Sequence, residues 1–279
     1  MLGSHLVSSI QAAYPSVYIY AYQGKVENFE QLKTEFSQKP WDVIIHFAGM
    51  SHVPDCEQNP ELAYKINFLS TVYLGHLVKE ANFSGTIIFS STGLIYDHDR
   101  SAEKAIFTET SEIRPKHVYG ITKWQSENFL KGLTQYTAAK VVVLRLFNHA
   151  HKDQSDRFVL PSVLKQMLQS GSPVRVKVGN LNLWRDFSLV SDFVAAVTPL
   201  VIKPVMESFR VINLASGQSR KLKDLVDLIA LRLNKVIEYE VDESLLRKNE
   251  FQYMVGDFPT AYNKNRSDKE FIDCFLKGE

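Results

Sequence analysis

Cysteine is scarce in this sequence: 279 residues carry two, Cys56 and Cys274. Two thiols cannot build a disulfide framework, and these lack the spacing of a metal-ligand pair, so a reducing cytoplasm is the simplest compartment. An excess of one charge is also missing. With 32 basic against 31 acidic residues, nothing in the net charge points to nucleic acid or a membrane surface as a partner. No apolar run approaches the ~20 residues that span a bilayer. The opening Met1-Leu2-Gly3-Ser4-His5-Leu6-Val7 has neither the basic flank nor the long apolar stretch of a secretory signal. There is no internal repeat and no low-complexity linker. His46, His52, His149 and His151 are not spaced as a coordination sphere, so no metal is expected.

What is present is an ordinary globular composition, 45% hydrophobic and 23% charged, in a chain long enough for one large domain or two sharing a cleft. Short apolar runs alternate with longer amphipathic ones. Helices are expected at 4–13, 28–37, 59–81 and 117–133, and strands at Val17–Tyr20, Asp42–Phe47, Thr86–Ser90 and Lys140–Leu146. Runs such as Asp42-Val-Ile-Ile-His-Phe47 are apolar on both faces, as buried parallel strands must be. Strands alternating with helices predict βαβ units and a doubly wound α/β sheet. Beyond residue 150 the rhythm loosens, with helices at 158–169, 191–202 and 221–233 and strands at 174–178 and 210–213. Residues 1–150, with about 182–206, are read as a Rossmann-like cofactor domain. Residues 151–181 and 207–279 are read as a smaller, interleaved substrate lobe.

Ligands of such sheets bind outside the carboxyl ends of the strands, which directs attention to the strand ends. One strand runs into Phe89-Ser90-Ser91-Thr92, followed by Tyr96. Downstream, Tyr119-Gly120-Ile121-Thr122-Lys123 opens a helix and places a phenol and an ammonium on one face, four residues apart. A lysine there is expected to pull the tyrosine below its usual pKa of about 10, toward a value suited to acid–base work. A hydroxyl from Thr92 completes a hydrogen-bonded set around a substrate oxygen. The pair alone recurs by chance in many helices; its place after a strand ending Ser-Ser-Thr is what singles it out. The default reading of Cys56 is a small buried residue, of Trp184 core or lobe-interface packing, and of Asp186 a structural partner.

With these motifs the chain resembles the extended short-chain dehydrogenase/reductase family over nearly its whole length. His46-Phe-Ala-Gly49 is similar to the family's fourth-strand signature beside the cofactor, and Asn67 to the asparagine of its Asn-x-x-Gly-Thr helix, with Ser70 replacing the glycine. The resemblance implies Thr92, Tyr119 and Lys123 as catalytic residues. It implies Gly3, Ala48, Gly49, Asn67, Ser90, Tyr119, Lys123 and Phe147 as cofactor contacts. Asn67 has a plainer alternative, bridging backbone groups within the sheet. Arg145-Leu-Phe-Asn-His149, Gln154, Phe158-Val159, Pro161, Val178-Gly-Asn-Leu181, Arg185-Asp-Phe187, Asn213, Ser216-Gly217, Leu246-Arg247 and Gly256-Asp257 follow, in order, the pattern of GDP-4-keto-6-deoxymannose reductases. By that resemblance Asn148, Arg185 and Arg247 hold a substrate diphosphate, with Ser51 and Thr92 at the sugar. Guanidinium forks match diphosphate oxygens, which explains how a nearly neutral chain takes an anionic substrate.

The expected activity is therefore reduction of the C4 ketone of a nucleotide-linked 4-keto-6-deoxyhexose, GDP-linked, by NADP or NAD. Lys25, where the family usually has an aspartate, inclines the choice to NADP. Gly93 and Leu94 replace the carboxylate that dehydratases carry after the threonine, which disfavours dehydration. A nucleotide-sugar epimerase and a non-catalytic binding remnant are the rival readings. The family resemblance and the length of helices 59–81 and 117–133 suggest a homodimer by four-helix packing. Of the family's opening strand and Gly-x-x-Gly-x-x-Gly, only the last glycine is found, as Gly3. Two readings of that front stay open: a start lying upstream, or a chain without its first strand.

Overall fold

Strands that are apolar on both faces need cover on both faces, and in the computed structural model the chain supplies it with two layers of helices. The structure describes residues 1–97, 106–169, 171–246, 250–257 and 265–279. The first half comprises α1 (Leu2–Ala13), α2 (Phe29–Phe36), β1 (Val43–His46), α3 (Val53–Gln58) and α4 (Pro60–Tyr64). A π turn (Lys65–Leu69) joins α4 to α5 (Ser70–Glu80), followed by β2 (Thr86–Thr92), β3 (Ile106–Phe107), α6 (Val118–Leu133), β4 (Lys140–Leu146) and β5 (Asn148–Ala150). The second half comprises α7 (Val159–Gln169), β6 (Val174–Val178), β7 (Trp184–Leu189), α8 (Val190–Ile202), β8 (Phe209–Leu214) and β9 (Ser219–Lys221). It ends with α9 (Leu222–Arg232), β10 (Ile237–Val241), β11 (Tyr253–Gly256) and α10 (Asp268–Lys277).

The main sheet is parallel throughout, in the order β1-β2-β4-β8. Alternate side chains of its strands enter opposite layers. Ile88, Val142 and Leu144 pack with Leu6 and Ile10 of α1 and Phe193, Val194 and Val197 of α8. Ile87, Phe89, Val141 and Val143 pack with Leu74 and Val78 of α5 and Leu130 and Leu133 of α6. Each such side chain, fully buried, contributes roughly 1.5–3 kcal/mol. The helices α5 and α6 approach closely at Gly75, where a Cβ would stand 2.5 Å from the Phe129 ring.

A second sheet, β3-β11-β7-β5 with β9 on β7, and the pair β10-β6 surround a separate core. That core holds Leu160, Met167, Val176, Phe187, Leu225, Ile229, Phe271 and Phe275. The sequence grouped residues 207–279 with this lobe, yet β8 pairs with β4 in the main sheet, and β7 pairs with β5 and β11 in the second.

Two expectations need correction. Val17–Tyr20 is not a strand. Its alternation is met by packing: Val17 and Ile19 turn toward the α1 side of the core, while Tyr18 and Tyr20 lie against Trp41. No neighbouring strand provides a ladder for its backbone, and β1 stands at the sheet's edge with β2 its single partner among the described residues. Trp184 is not core but surface, 36% exposed beside Tyr253.

Asp186 on β7 is the structural partner expected of it. Its Oδ1 accepts from the amide and hydroxyl of Ser216 at 2.6 and 2.7 Å, and its Oδ2 accepts from the amides of Gly217 and Gly256 at 2.9 and 3.3 Å. Burial pushes the carboxyl up to about 6 while these donors hold it down. Asp186→Asn turns an acceptor into a donor facing buried N–H groups. It should destabilise the fold by about 2–3 kcal/mol, read as a lowered midpoint in urea unfolding.

Candidate active site

The site forms where β1 and β2 end and α6 begins. β2 delivers Ser90, Ser91 and Thr92 to the carboxyl edge of the sheet. Past Thr92, whose hydroxyl accepts from Leu94 N at 3.2 Å, the chain turns through a short 3-10 segment, Gly93–Ile95. The first amide of α6, Val118 N, donates to Glu57 Oε1 of α3 at 2.8 Å. A carboxylate suits a helix N-terminus, where orphan amides concentrate positive charge. Tyr119 and Lys123 then stand on the buried face of α6, Tyr119 packed with Val53, Cys56 and Ala63.

Asn67 holds the other wall. The π turn that carries it widens the helix between α4 and α5, a distortion common at functional sites. Its side-chain oxygen accepts from Met50 N at 2.8 Å, and its amide donates to Met50 O at 3.1 Å and to Thr122 Oγ1 at 3.2 Å. Its backbone carbonyl accepts from the Ser126 hydroxyl at 2.9 Å. Asn67 thereby clamps the Ala48-Gly49-Met50 loop to α6. Gly49 allows the close approach, since a Cβ there would lie 3.1 Å from Asn67 Oδ1 and 3.6 Å from Lys123 Nζ. Ser70, which replaces a glycine of the family pattern, lies 3.3 Å from His46 Nε2, with Thr71 Oγ1 at 3.2 Å. Burial, and then the charge of Lys123, pulls His46 down to about 3, so it is a neutral imidazole.

Electrostatics at the site differ from the sequence expectation. Burial, followed by the neighbouring Cys56, raises the Tyr119 phenol above its ordinary value, and a hydrogen bond with Thr92 opposes the rise. Burial lowers Lys123 to about 7, against the opposing influence of Glu127 and Cys56. Exclusion of water is the largest cause of both shifts, and Lys123 Nζ lies over the Phe89 ring at 4.3 Å. The arrangement is therefore a protonated phenol, a hydroxyl bonded to it, and an amine that titrates near neutrality. It can deliver a proton to an oxygen placed beside Tyr119.

The remaining expected residues are scattered around this centre. Ser90 Oγ donates to His46 O at 3.5 Å. Phe147 is buried with Tyr96, Phe107, Ala215 and Met254 in the aromatic joint between the sheets. Ala48, Gly49 and Ser51 are exposed. Gly3 lies in the first turn of α1, with open space where a side chain would be. Asn148 Nδ2 and Ser91 Oγ are buried without a hydrogen-bond partner, as donors awaiting a ligand would be. Arg185 donates to Trp184 O at 2.9 Å and pairs with Glu250 at 3.7 Å. Arg247 lies outside the described residues. Glu57, Thr122 and Ser126 escaped the sequence reading, because nothing local marks a cap or a bridge whose partner is ~60 residues away. No described helix is long and apolar enough to cross a membrane.

A doubly wound sheet with a Tyr-x-x-x-Lys helix at the carboxyl ends of its strands defines the extended short-chain dehydrogenase/reductases, the NAD-dependent epimerases and dehydratases of nucleotide sugars. Residues 5–272 match the GDP-mannose 4,6 dehydratase family, and the chain belongs to it. It is 30% identical over 264 residues to GDP-6-deoxy-D-mannose reductase of Pseudomonas aeruginosa, covering 91% of this chain and 84% of that protein. It is 24% identical over 221 residues to dTDP-4-dehydro-6-deoxyglucose reductase of Escherichia coli, covering 78% and 67%. Among solved structures, RMD from Pseudomonas aeruginosa complexed with NADPH is 25% identical with a TM-score of 0.82, covering 99% of this chain and 94% of that one. UDP-glucose 4-epimerase from Thermotoga maritima, with UDP-glucose, shares the fold at 19% identity and a TM-score of 0.84, with 99% and 94% covered.

A buried cation stabilises the fold less than a neutral group of the same shape. Because Lys123 titrates lower folded than unfolded, stability rises with pH between about 7 and the ordinary lysine value. Lys123→Met should therefore raise the melting temperature more at pH 6 than at pH 9, as differential scanning calorimetry would show.

Proposed function

We propose that the chain reduces the C4 ketone of a nucleotide-diphosphate 4-keto-6-deoxyhexose, GDP-linked, with Tyr119 as proton donor. The observation that carries this reading is the pair Tyr119 and Lys123 buried on one face of α6, with Thr92 beside the phenol at the end of β2. The family gives the class of substrate, and the kinship with a GDP-6-deoxy-D-mannose reductase over most of both chains supports the particular reaction. Gly93 and Leu94 leave no carboxylate after Thr92, which supports reduction over dehydration.

A dinucleotide fits what the residues offer. Lys123 and Asn67 line one wall behind Gly49, which brings no side chain of its own between them and the loop, and Ser91 Oγ is an unsatisfied buried hydroxyl. At the other end α1 begins with no acidic residue in its first turn, and its free amides suit a phosphate. Lys123 would hold the nicotinamide ribose, with Ala48, Ser90 and Phe147 nearby in the sequence pattern. Exposed Lys25 inclines the preference to NADP over NAD. The bound cofactor supplies the hydride.

The protein's own residues handle the oxygen. Tyr119 gives its phenolic proton to the C4 oxygen as that oxygen gains negative charge, breaking one O–H bond and forming another. The phenolate left behind is stabilised by the Lys123 ammonium, and the Thr92 hydroxyl donates to the same oxygen. Asn148, whose amide is otherwise unsatisfied, would bind the diphosphate with Arg185, the sequence pattern adds Arg247 to them, and Ser51 would bind the sugar. Arg185 would share its guanidinium between the diphosphate and Glu250. The division into cofactor domain and substrate lobe, a cytoplasmic setting and a homodimer belong to the same reading.

Tyr119→Phe should lower kcat for a GDP-4-keto-6-deoxyhexose by about 100-fold or more, with folding unchanged by circular dichroism. Undiminished turnover would refute the assignment, and sugar inversion without net cofactor oxidation would mark an epimerase instead. Sedimentation velocity should show a dimer through α4–α5 and α6; a monomer at all concentrations would remove that part.

A further inference from the structure

Glu127 lies one helical turn beyond Lys123 on the same buried face of α6 and is 1% exposed. A carboxylate so placed needs a counter-charge, and Arg145 of β4 supplies it as a fork. Arg145 Nε stands 3.2 Å from both carboxylate oxygens, and Nη2 stands 2.8 Å from Oε2. The other side of the guanidinium donates to Tyr96 Oη at 3.0 Å and to Glu109 O at 2.9 Å. Tyr96 donates onward to Asn213 Oδ1 at 2.5 Å, and the Asn213 amide donates to Phe107 O at 2.8 Å. One chain of bonds thus runs from the Tyr119–Lys123 helix through β4 and β8 to the second sheet.

Lys123 shares the buried face of α6 with the titratable Tyr119 and Glu127, and Cys56 on α3 and His46 on β1 lie within reach of its charge. His46 is drawn down to about 3, Cys56 is pushed up to about 11 and Tyr119 is raised, so all three are neutral near pH 7. Glu127, ion-paired to Arg145 at 2.8 Å, is the carboxylate of the set.

We propose that Glu127 is a positioning residue for Lys123: locked by Arg145, it fixes α6 against β4 and keeps a negative charge one turn from the ammonium. The proposal rests on the reading of Tyr119 and Lys123 as the proton-handling pair. A purely structural ion pair would hold the helix but leave the lysine's behaviour unchanged.

The test is an NMR titration of Cε-labelled lysines in the full chain, with Lys123→Met assigning the Lys123 signal. Glu127→Gln should lower the Lys123 midpoint, from about 7, by about one pH unit, and Glu127→Asp should restore most of it. The alkaline limb of kcat should move with the midpoint. An unmoved midpoint in folded Glu127→Gln overturns the proposal. If that variant does not fold with Arg145 stranded, Glu127→Leu combined with Arg145→Met is compared with Arg145→Met alone, so that only the carboxylate differs, and the same criterion applies to that difference. A shifted midpoint in a protein that turns over no nucleotide sugar would refute the reductase reading and leave the positioning role standing. Turnover with an unmoved midpoint would do the reverse.

Discussion

β4 runs through the main sheet between β2 and β8, and five of its seven residues are apolar. Arg145 is buried in that setting, where an unpaired guanidinium would cost several kcal/mol. Its fork to Glu127 is what makes the strand tolerable, and the same fork sets where α6 can lie. With α6 set, Tyr119 and Lys123 meet the end of β2. Tyr96 and Asn213, reached from the far side of Arg145, tie the joint between the sheets to the same point. The geometry of the Thr92, Tyr119 and Lys123 cluster and the packing of the two sheets therefore share one buried charge pair.

Much of the main sheet was legible because its physics is local. β1, β2 and β4 are apolar runs bounded by polar residues, and α6 and α7 carry a helical period; their positions in the structure match the expectation within a few residues. The short strands β5, β7, β9 and β11 were not read, since three to six residues of mixed polarity carry no periodic signal and are strands only because a neighbour pairs with them. Val17–Tyr20 shows the converse: the alternation is present, and the pairing partner is not.

At the site, the Thr92, Tyr119 and Lys123 cluster could be anticipated from strand-end position and helical spacing. Its charge state could not. Sequence spacing places a lysine near a tyrosine, but whether attraction or desolvation prevails depends on how much water the fold excludes, a property of the whole enclosure. Here Val53, Cys56, Ala63 and Phe89 supply that enclosure, and both groups move toward their neutral forms. Asn67 was noticed for its motif; its use as a clamp on Met50 depends on the π turn, which no residue pattern announces.

The interleaving of the second sheet bears on how the protein is made. Its neighbours β3, β11, β7 and β5 come from residues 106–107, 253–256, 184–189 and 148–150. On a ribosome, which releases the chain from its amino end, β11 emerges after its three sheet neighbours. The main sheet, complete at β8, can assemble well before that point, while β7 and β3 wait for the strand that lies between them. Synthesis thus separates a scaffold that can form early from a second sheet that closes only when β11 is out.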